Sequence, residues 1–142
     1  MTTSYSALSP VSAAVYTTLN VAALLALAPG GVCDDVAQRT GYPFVLFDVH
    51  EHREGGFGTK PGLGTLPEVD LRVHVFSQFQ GFSEAQAVMG KAIELLRDPP
   101  TVSGYSSWAI FHDDTLALGD EQIAGVKVKE LVGLFRLYVE LQ

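Results

Sequence analysis

The stretch "EVDLRVHVFSQFQGFSEAQAVMGKAIELL", Glu68 to Leu96, changes its period halfway along. From Glu68 to Ser77, Val69, Leu71, Val73 and Val75 alternate with Asp70, Arg72 and His74, the period-two pattern of a strand with one buried face. From Ser83 onward, Ala85, Val88, Met89, Ala92, Leu95 and Leu96 recur at helical spacing and make one apolar stripe. Ser83-Glu84-Ala85-Gln86 predicts a capping box at the helix start, and Pro99-Pro100 a stop at its end.

The flanking segments repeat both patterns. "FVLFDVHEHR" (Phe44 to Arg53) sets Val45, Phe47 and Val49 against Asp48, His50 and His52, as a second strand. A hairpin centred near Pro61 would place Asp48 opposite His74, His50 opposite Arg72 and His52 opposite Asp70. Toward the N-terminus, Ser9-Pro10 reads as a helix start, and Val11, Val15, Leu19, Ala22 and Leu25 continue a stripe that Ala28-Pro29-Gly30-Gly31 ends. A short strand is expected around Val32 to Val36, then a turn at Thr40-Gly41-Tyr42-Pro43. "SWAIFHDDTLAL" (Ser107 to Leu118) and "VKVKELVGLFRLYVEL" (Val126 to Leu141) read as strands, the last apolar on both faces. The pattern predicts an α+β fold: a mostly antiparallel sheet of four to five strands with two main helices packed on one face.

Composition bounds the function. A chain of 142 residues, 47% hydrophobic and 18% charged, has the size and make-up of one globular domain, taken as 1–142. Its net charge of −7 argues against a surface that grips nucleic acid through clustered Lys and Arg. Cys33, alone, makes no internal disulfide and no metal-binding pair. Ala26-Leu27-Ala28 has the A-x-A form of a signal-peptidase site, but no Lys or Arg precedes the apolar run. A membrane span takes roughly 20 mostly apolar residues, and Ser12, Thr17, Thr18 and Asn20 interrupt this one. A buried helix of a soluble chain is expected, with no membrane partner.

"EGGFGTKPGLGT" (Glu54 to Thr65) lacks the Ser or Thr after lysine that a P-loop needs and leads into a strand, so 54–66 is expected to be a flexible hairpin loop. Its Gly56, Phe57, Gly58 and Lys60 suit contact with another protein. His50, His52 and His74 are the metal candidates, and a His-cluster metal-binding barrel enzyme is the alternative they would support. Charge pairs between the two strands account for the same residues without a metal. Asp113 and Asp114 would point to opposite faces of a strand. Ser83, Ser106 and Ser107 lack a nucleophile elbow, Cys33 has no basic neighbour, and Trp108 with Phe111 reads as core. No catalytic constellation emerges; neither enzyme activity nor a cofactor is expected.

From Val15 onward the chain resembles the small tail-completion (tail-terminator) proteins of long-tailed bacteriophages and gene-transfer particles. The residues that carry the resemblance are "VYTTLNVAALLALAPGGVCDDV", "YPFVLFDVHE" and "VDLRVHVFSQFQGFSEAQAVMGKAIELL". The resemblance implies a virion structural protein, made in the host cytoplasm and placed at the tail–neck junction. It would form a ring, usually a hexamer, that caps the tail tube. Its partners would be further copies of itself, the major tail tube protein and the head–neck connector proteins, with DNA passing through unbound. A head-side neck or connector protein is the alternative within the same setting. Under this reading Val132, Leu134 and Tyr138, on the second face of the last strand, are the expected subunit interface, with cover by a second layer of the same chain as the equal alternative.

Overall fold

The computed structural model describes residues 8–52 and 68–141. Helix α1 (Leu8–Leu19) is followed at once by a single turn, α2 (Ala22–Leu25), where the sequence pattern predicted one continuous helix. Val21 is extended, with φ −123° and ψ 157°, and breaks the run. Asn20 and β-branched Val21 are weak helix formers. The change of direction turns Leu24 and Ala28 fully into the core and leaves Ala22 exposed. The threonines within α1 do not disturb its packing, because Thr17 Oγ1 and Thr18 Oγ1 donate to the carbonyls of Ala13 and Ala14 at 3.0 and 2.8 Å.

The chain next passes itself at very close range. Gly30 N donates to the Pro43 carbonyl (2.9 Å), and Thr40 N donates to the Gly30 carbonyl (3.0 Å). A Cβ on Gly30 would sit 2.1 Å from the Gly41 carbonyl oxygen, so only glycine fits. Strand β1 is just Val32–Cys33, shorter than expected. Asp35 ends it by accepting from Ala37 N at 3.0 Å and opening a 3-10 helix at Val36–Gln38.

Four longer strands complete the sheet: β2 (Phe44–His52), β3 (Glu68–Ser77), β4 (Tyr105–Ile123) and β5 (Val126–Leu141). Their order is β1-β2-β3-β5-β4, with β1 parallel to β2 and every other pair antiparallel. Helix α3 (Ser83–Leu95) packs with α1 and α2 on one face of this sheet. The core between the layers holds the expected alternate positions: Val45 and Phe47, Val69 to Val75, and Leu131, Phe135, Leu137 and Val139. The fold is α+β, as the period switch predicted.

Three local expectations are corrected. The β2–β3 register places Asp48 opposite Arg72, His50 opposite Asp70 and His52 opposite Glu68, two residues away from the hairpin centred near Pro61. A two-residue slip leaves every side chain on its expected face, so the burial pattern could not detect it. The capping box does not form: α3 starts from Phe82 without a side-chain cap. Instead buried Ser77, at the end of β3, donates to Glu84 Oε1 (2.7 Å) and accepts from Phe79 N (3.0 Å). Strand β4 also runs past Leu118 to Ile123, because Gly119 (φ +86°) absorbs a bulge inside the strand and does not turn the chain. The actual turn is the pair Ala124-Gly125, both at positive φ, the two-residue geometry that matches strand twist.

The long β4–β5 ribbon curls. Near its tip, Val128 and Ile123 pack onto Phe44, Phe76 and Cys33 on the sheet face away from the helices, making a second small core. Phe44 and Phe76, paired across β2 and β3, stack with ring centres 4.9 Å apart. This curl covers part of the face that the sequence pattern left open.

Candidate interaction surface

The face of β2, β3, β5 and β4 that turns away from the helices carries two polar chains. In the first, Arg72 Nε donates to Asp48 Oδ1 at 2.8 Å, and His74 lies between Asp48 (Nε2, 3.3 Å) and Glu130 (Nδ1, 2.6 Å). In the second, Tyr138 donates to Glu68 Oε1 at 2.6 Å, Arg136 Nη1 donates to the Tyr138 oxygen at 3.2 Å, and Arg136 grips Asp113 with two bonds of 2.7 and 3.0 Å. A cleft of about 630 Å³ lies beside these chains, bordered by His50, Asp70, Arg72 and Arg136. Both chains cross strands, so they tie β2 to β3 to β5 and β5 to β4.

Electrostatics follows from these pairings. The fork of hydrogen bonds that Arg136 donates to Asp113, with the charge of that carboxylate, pushes the guanidinium above its ordinary range, so it stays charged. The hydrogen bond to Glu68, then burial, raise the Tyr138 phenol. Burial raises the Cys33 thiol, which donates to the Val45 carbonyl (3.4 Å) and behaves as a small packing group.

The metal candidates separate. His74 has its two nitrogens directed at two different carboxylates, so Glu130, His74 and Asp48 form a chain and do not converge on one point. His50 is exposed opposite Asp70, and the His52 side chain lies outside the described residues. Among the described residues no three His, Cys, Asp or Glu side chains are arranged to hold a metal ion. Gly56, Phe57, Gly58 and Lys60 also lie outside the described residues, as does the whole 54–66 loop.

The expected exposure of Val132 and Tyr138 is corrected. Each is only 4% exposed within the single chain, and Leu134 is half-buried. Val132 is flanked across the ladder by His74 and Leu116. Tyr138 is closed over by its bonds to Glu68 and Arg136 and by the edge of Phe111, 6.0 Å away. Polar and aromatic neighbours, with the curl, cover Val132 and Tyr138 within the single chain.

The exposed apolar groups lie elsewhere on the same ribbon. Phe111, expected in the core, is 45% exposed; Leu116 is 42%, Leu118 52% and, at the tip, Val126 36%. Phe79, after β3, is 53% exposed and shares a small depression with Lys127 and Lys129. Strand β4 is a sheet edge interrupted by bulges at Ser107/Ala109, His112/Asp114 and Ala117/Gly119. The middle bulge undoes the expected opposition of Asp113 and Asp114. Asp114 stands across from Leu134, while Asp113 is held by Arg136 on that same open face. The apolar letters of "TLALGDEQIAGV" (Thr115 to Val126) were visible in the sequence, but reading that run as one strand requires seeing Gly119 as a bulge.

Comparison with known proteins gives this surface its context. The family model described as tail completion protein gp17 matches residues 13–131. A chain in the virion of a native gene transfer agent (GTA) particle superposes with a TM-score of 0.76 at 21% identity, covering 96% of this chain and 99% of that one. The gp17 protein of bacteriophage SPP1 superposes with a TM-score of 0.50 at 17% identity, covering 89% of this chain and 86% of that one. At such identities both likenesses are of fold. No curated protein matches the chain. The family match runs from within α1, through every described element of the sheet's helical face, to the middle of β5: the chain belongs to the tail completion protein gp17 family.

Proposed function

We propose that this chain is a structural component of a virion, a tail completion protein whose copies close into a ring on the finished tail tube and join it to the head–neck connector. The observation that carries the reading is the family match over residues 13–131 on a chain whose longest ribbon leaves Phe111, Leu116, Leu118 and Val126 uncovered. Such a set on the edge strand β4 and the ribbon tip suits a protein–protein contact. A head-to-tail contact repeated by rotation closes a ring, and a hexamer is the expected copy number. The net charge of −7 supports passage of DNA through the ring without a grip on its phosphates.

The test is removal of the gene from a particle-producing strain, with electron microscopy of the products. Filled heads accumulating beside unjoined tails, some of them overlong, are expected, with joining restored by the gene supplied in trans. Normally joined particles would overturn the proposal. Empty, leaking heads beside tails of normal length would instead place the protein on the head side of the neck.

A further inference from the structure

We infer that the open edge of β2 in one copy takes β4 of the next copy as an added strand, with Val49 to His52 paired against Ala117 to Asp114. This rests on the ring reading above and names the contact that closes the ring. Strand β1 lines β2 only at Val45 and Leu46, because Asp34 and Asp35 lead the chain away into the 3-10 helix. Val45 N donates to the Gly31 carbonyl at 2.9 Å, which fixes the parity of β2. Its odd residues aim their backbone groups toward the β1 side, and its even residues aim theirs at β3. Beyond β1, the N–H and C=O groups of Val49 and Glu51 therefore point into a lane that no strand fills among the described residues. A groove of about 480 Å³ opens beside this edge, where Ser12, Ala13 and Tyr16 of α1 stand next to Phe47.

The same alternation, carried through β3 and β5, gives the parity of β4. Val132 and Leu134 aim their backbone groups at Leu116 and Asp114, so Thr115 and Ala117 aim theirs outward. Thr115 N agrees, since it donates to the Asp114 side chain at 2.8 Å. Bulges at His112/Asp114 and Ala117/Gly119 bound a regular run of four residues, Asp114 to Ala117, and Val49 to His52 offers the same length. What completes an open edge is another strand, through main-chain hydrogen bonds. Thr115 and Ala117 lie on the helical side of the sheet, opposite Gly133 and Leu131, and their small side chains leave room beneath α1 at Ser12 and Ala13.

The sheet also sets the direction. Within a chain β4 runs antiparallel to β2, and a copy that continues the sheet with its helices on the same side keeps that direction. Val49 then forms a hydrogen-bonded pair with Ala117, and Glu51 with Thr115, while His50 stands opposite Leu116 between them. Asp114 falls opposite His52, at the end of the groove away from Asp34. In one chain β2 and β4 are three strand spacings apart, roughly 14 Å, with their open edges turned away from each other. Repeating this unlike contact closes a ring or extends a filament, not a two-fold dimer.

Hydrogen exchange on the unmodified protein tests the pairing. The amides of Val49, Glu51 and Ala117 are expected to exchange at least about tenfold more slowly in purified particles than in the dilute chain. Those of Asp48 and His50, bonded to β3, are expected to be protected in both. Unchanged exchange at Val49, Glu51 and Ala117 in particles that contain the chain overturns the inference.

Cross-linking tests the partner and the register. Two chains in a Cys33→Ser background, one with His50→Cys and one with Leu116→Cys, are made together in a particle-producing strain. The two positions form a non-hydrogen-bonded pair, whose side chains approach closely. Oxidised particles are expected to yield the mixed dimer, and particles carrying either variant alone little product. A dimer from Leu116→Cys alone would show β4 pairing with itself, and a link to a different virion protein would show another occupant of the edge. Either result, or no mixed dimer, overturns the inference and leaves the virion role to the particles made without the gene. Absence of the chain from purified particles would overturn the ring reading along with it.

Discussion

His74 Nδ1 stands 2.6 Å from Glu130 Oε2, in a pair that joins β3 to β5 on the open face of the sheet, with Glu130 only 5% exposed. Asp48 holds the far side of the same imidazole. Removing His74 strands Glu130 in a nearly closed site, whereas removing Glu130 leaves His74 with Asp48. His74→Ala is therefore expected to lower unfolding free energy by about 2–4 kcal/mol in urea titration. The double replacement His74→Leu with Glu130→Leu is expected to recover most of that loss, since it leaves no unpaired polar group. Equal losses for the single and double variants would mean that packing, not pairing, sets the stability.

Gly30 makes the second prediction. A methyl group there would meet the Gly41 carbonyl oxygen at 2.1 Å and the Pro43 carbonyl oxygen at 2.7 Å, both backbone atoms that cannot rotate away. Gly30→Ala is expected to cost about 3 kcal/mol or more, because the crossing that holds β1 against β2 must open. Gly90→Ala is the control: it has open space on an exposed helical position, and is expected to gain a few tenths of a kcal/mol up to about 1.

Gly133 faces Met89 of α3, whose Sδ would lie 2.9 Å from an added Cβ. The obstacle is a flexible side chain, with Phe135 Cε1 next at 3.1 Å. Gly133→Ala is expected to cost about 1–2 kcal/mol and Gly133→Val more, by overpacking. The pair Gly133→Ala with Met89→Ala should cost less than the two single changes together, since each makes room for the other. Additive losses would show that the two sites do not share the space.

Tyr138 supplies a pH dependence. Its bond to Glu68, and then burial, raise the phenol above its ordinary value of about 10, so the folded chain holds this proton more tightly than the unfolded one. The resulting stabilisation is whole below pH of about 10 and is lost as pH rises through the folded value. Tyr138→Phe is expected to remove that part of the alkaline loss, and Glu68→Gln to bring the phenol's absorbance titration back toward the ordinary range. A titration of Tyr138 unchanged by Glu68→Gln would refute the assigned cause.

Much of the fold was legible because its signals are local. Val69 to Val75 and Val45 to Phe47 alternate with polar residues, and alternation alone says which face is buried. The stripe Ala85, Val88, Met89, Ala92 likewise identified the buried side of α3. The break at Val21 was not legible, since nearby apolar residues satisfy both a straight and a bent path. Nor was the register of β2 on β3, because displacements of two leave the same side chains inside. The interaction surface was half legible. The apolar character of the ribbon is apparent in the sequence, but which of its side chains stay exposed is not: Val132 and Tyr138 are buried, while Leu116, Leu118 and Val126 are exposed.

The amino-acid order by itself determined the alternation and stripe that make this an α+β chain, along with its acidic balance and its resemblance to tail completion proteins. Periodicity and composition are properties of neighbours in sequence, and they survive any packing. Tertiary structure alone decided which side of the last ribbon meets solvent. That choice depends on the curl of β4 and β5 over Phe44 and Phe76, and on Arg136 reaching Asp113 across a bulge. Such contacts join residues far apart in the chain, and their geometry exists only after the sheet has formed and curled.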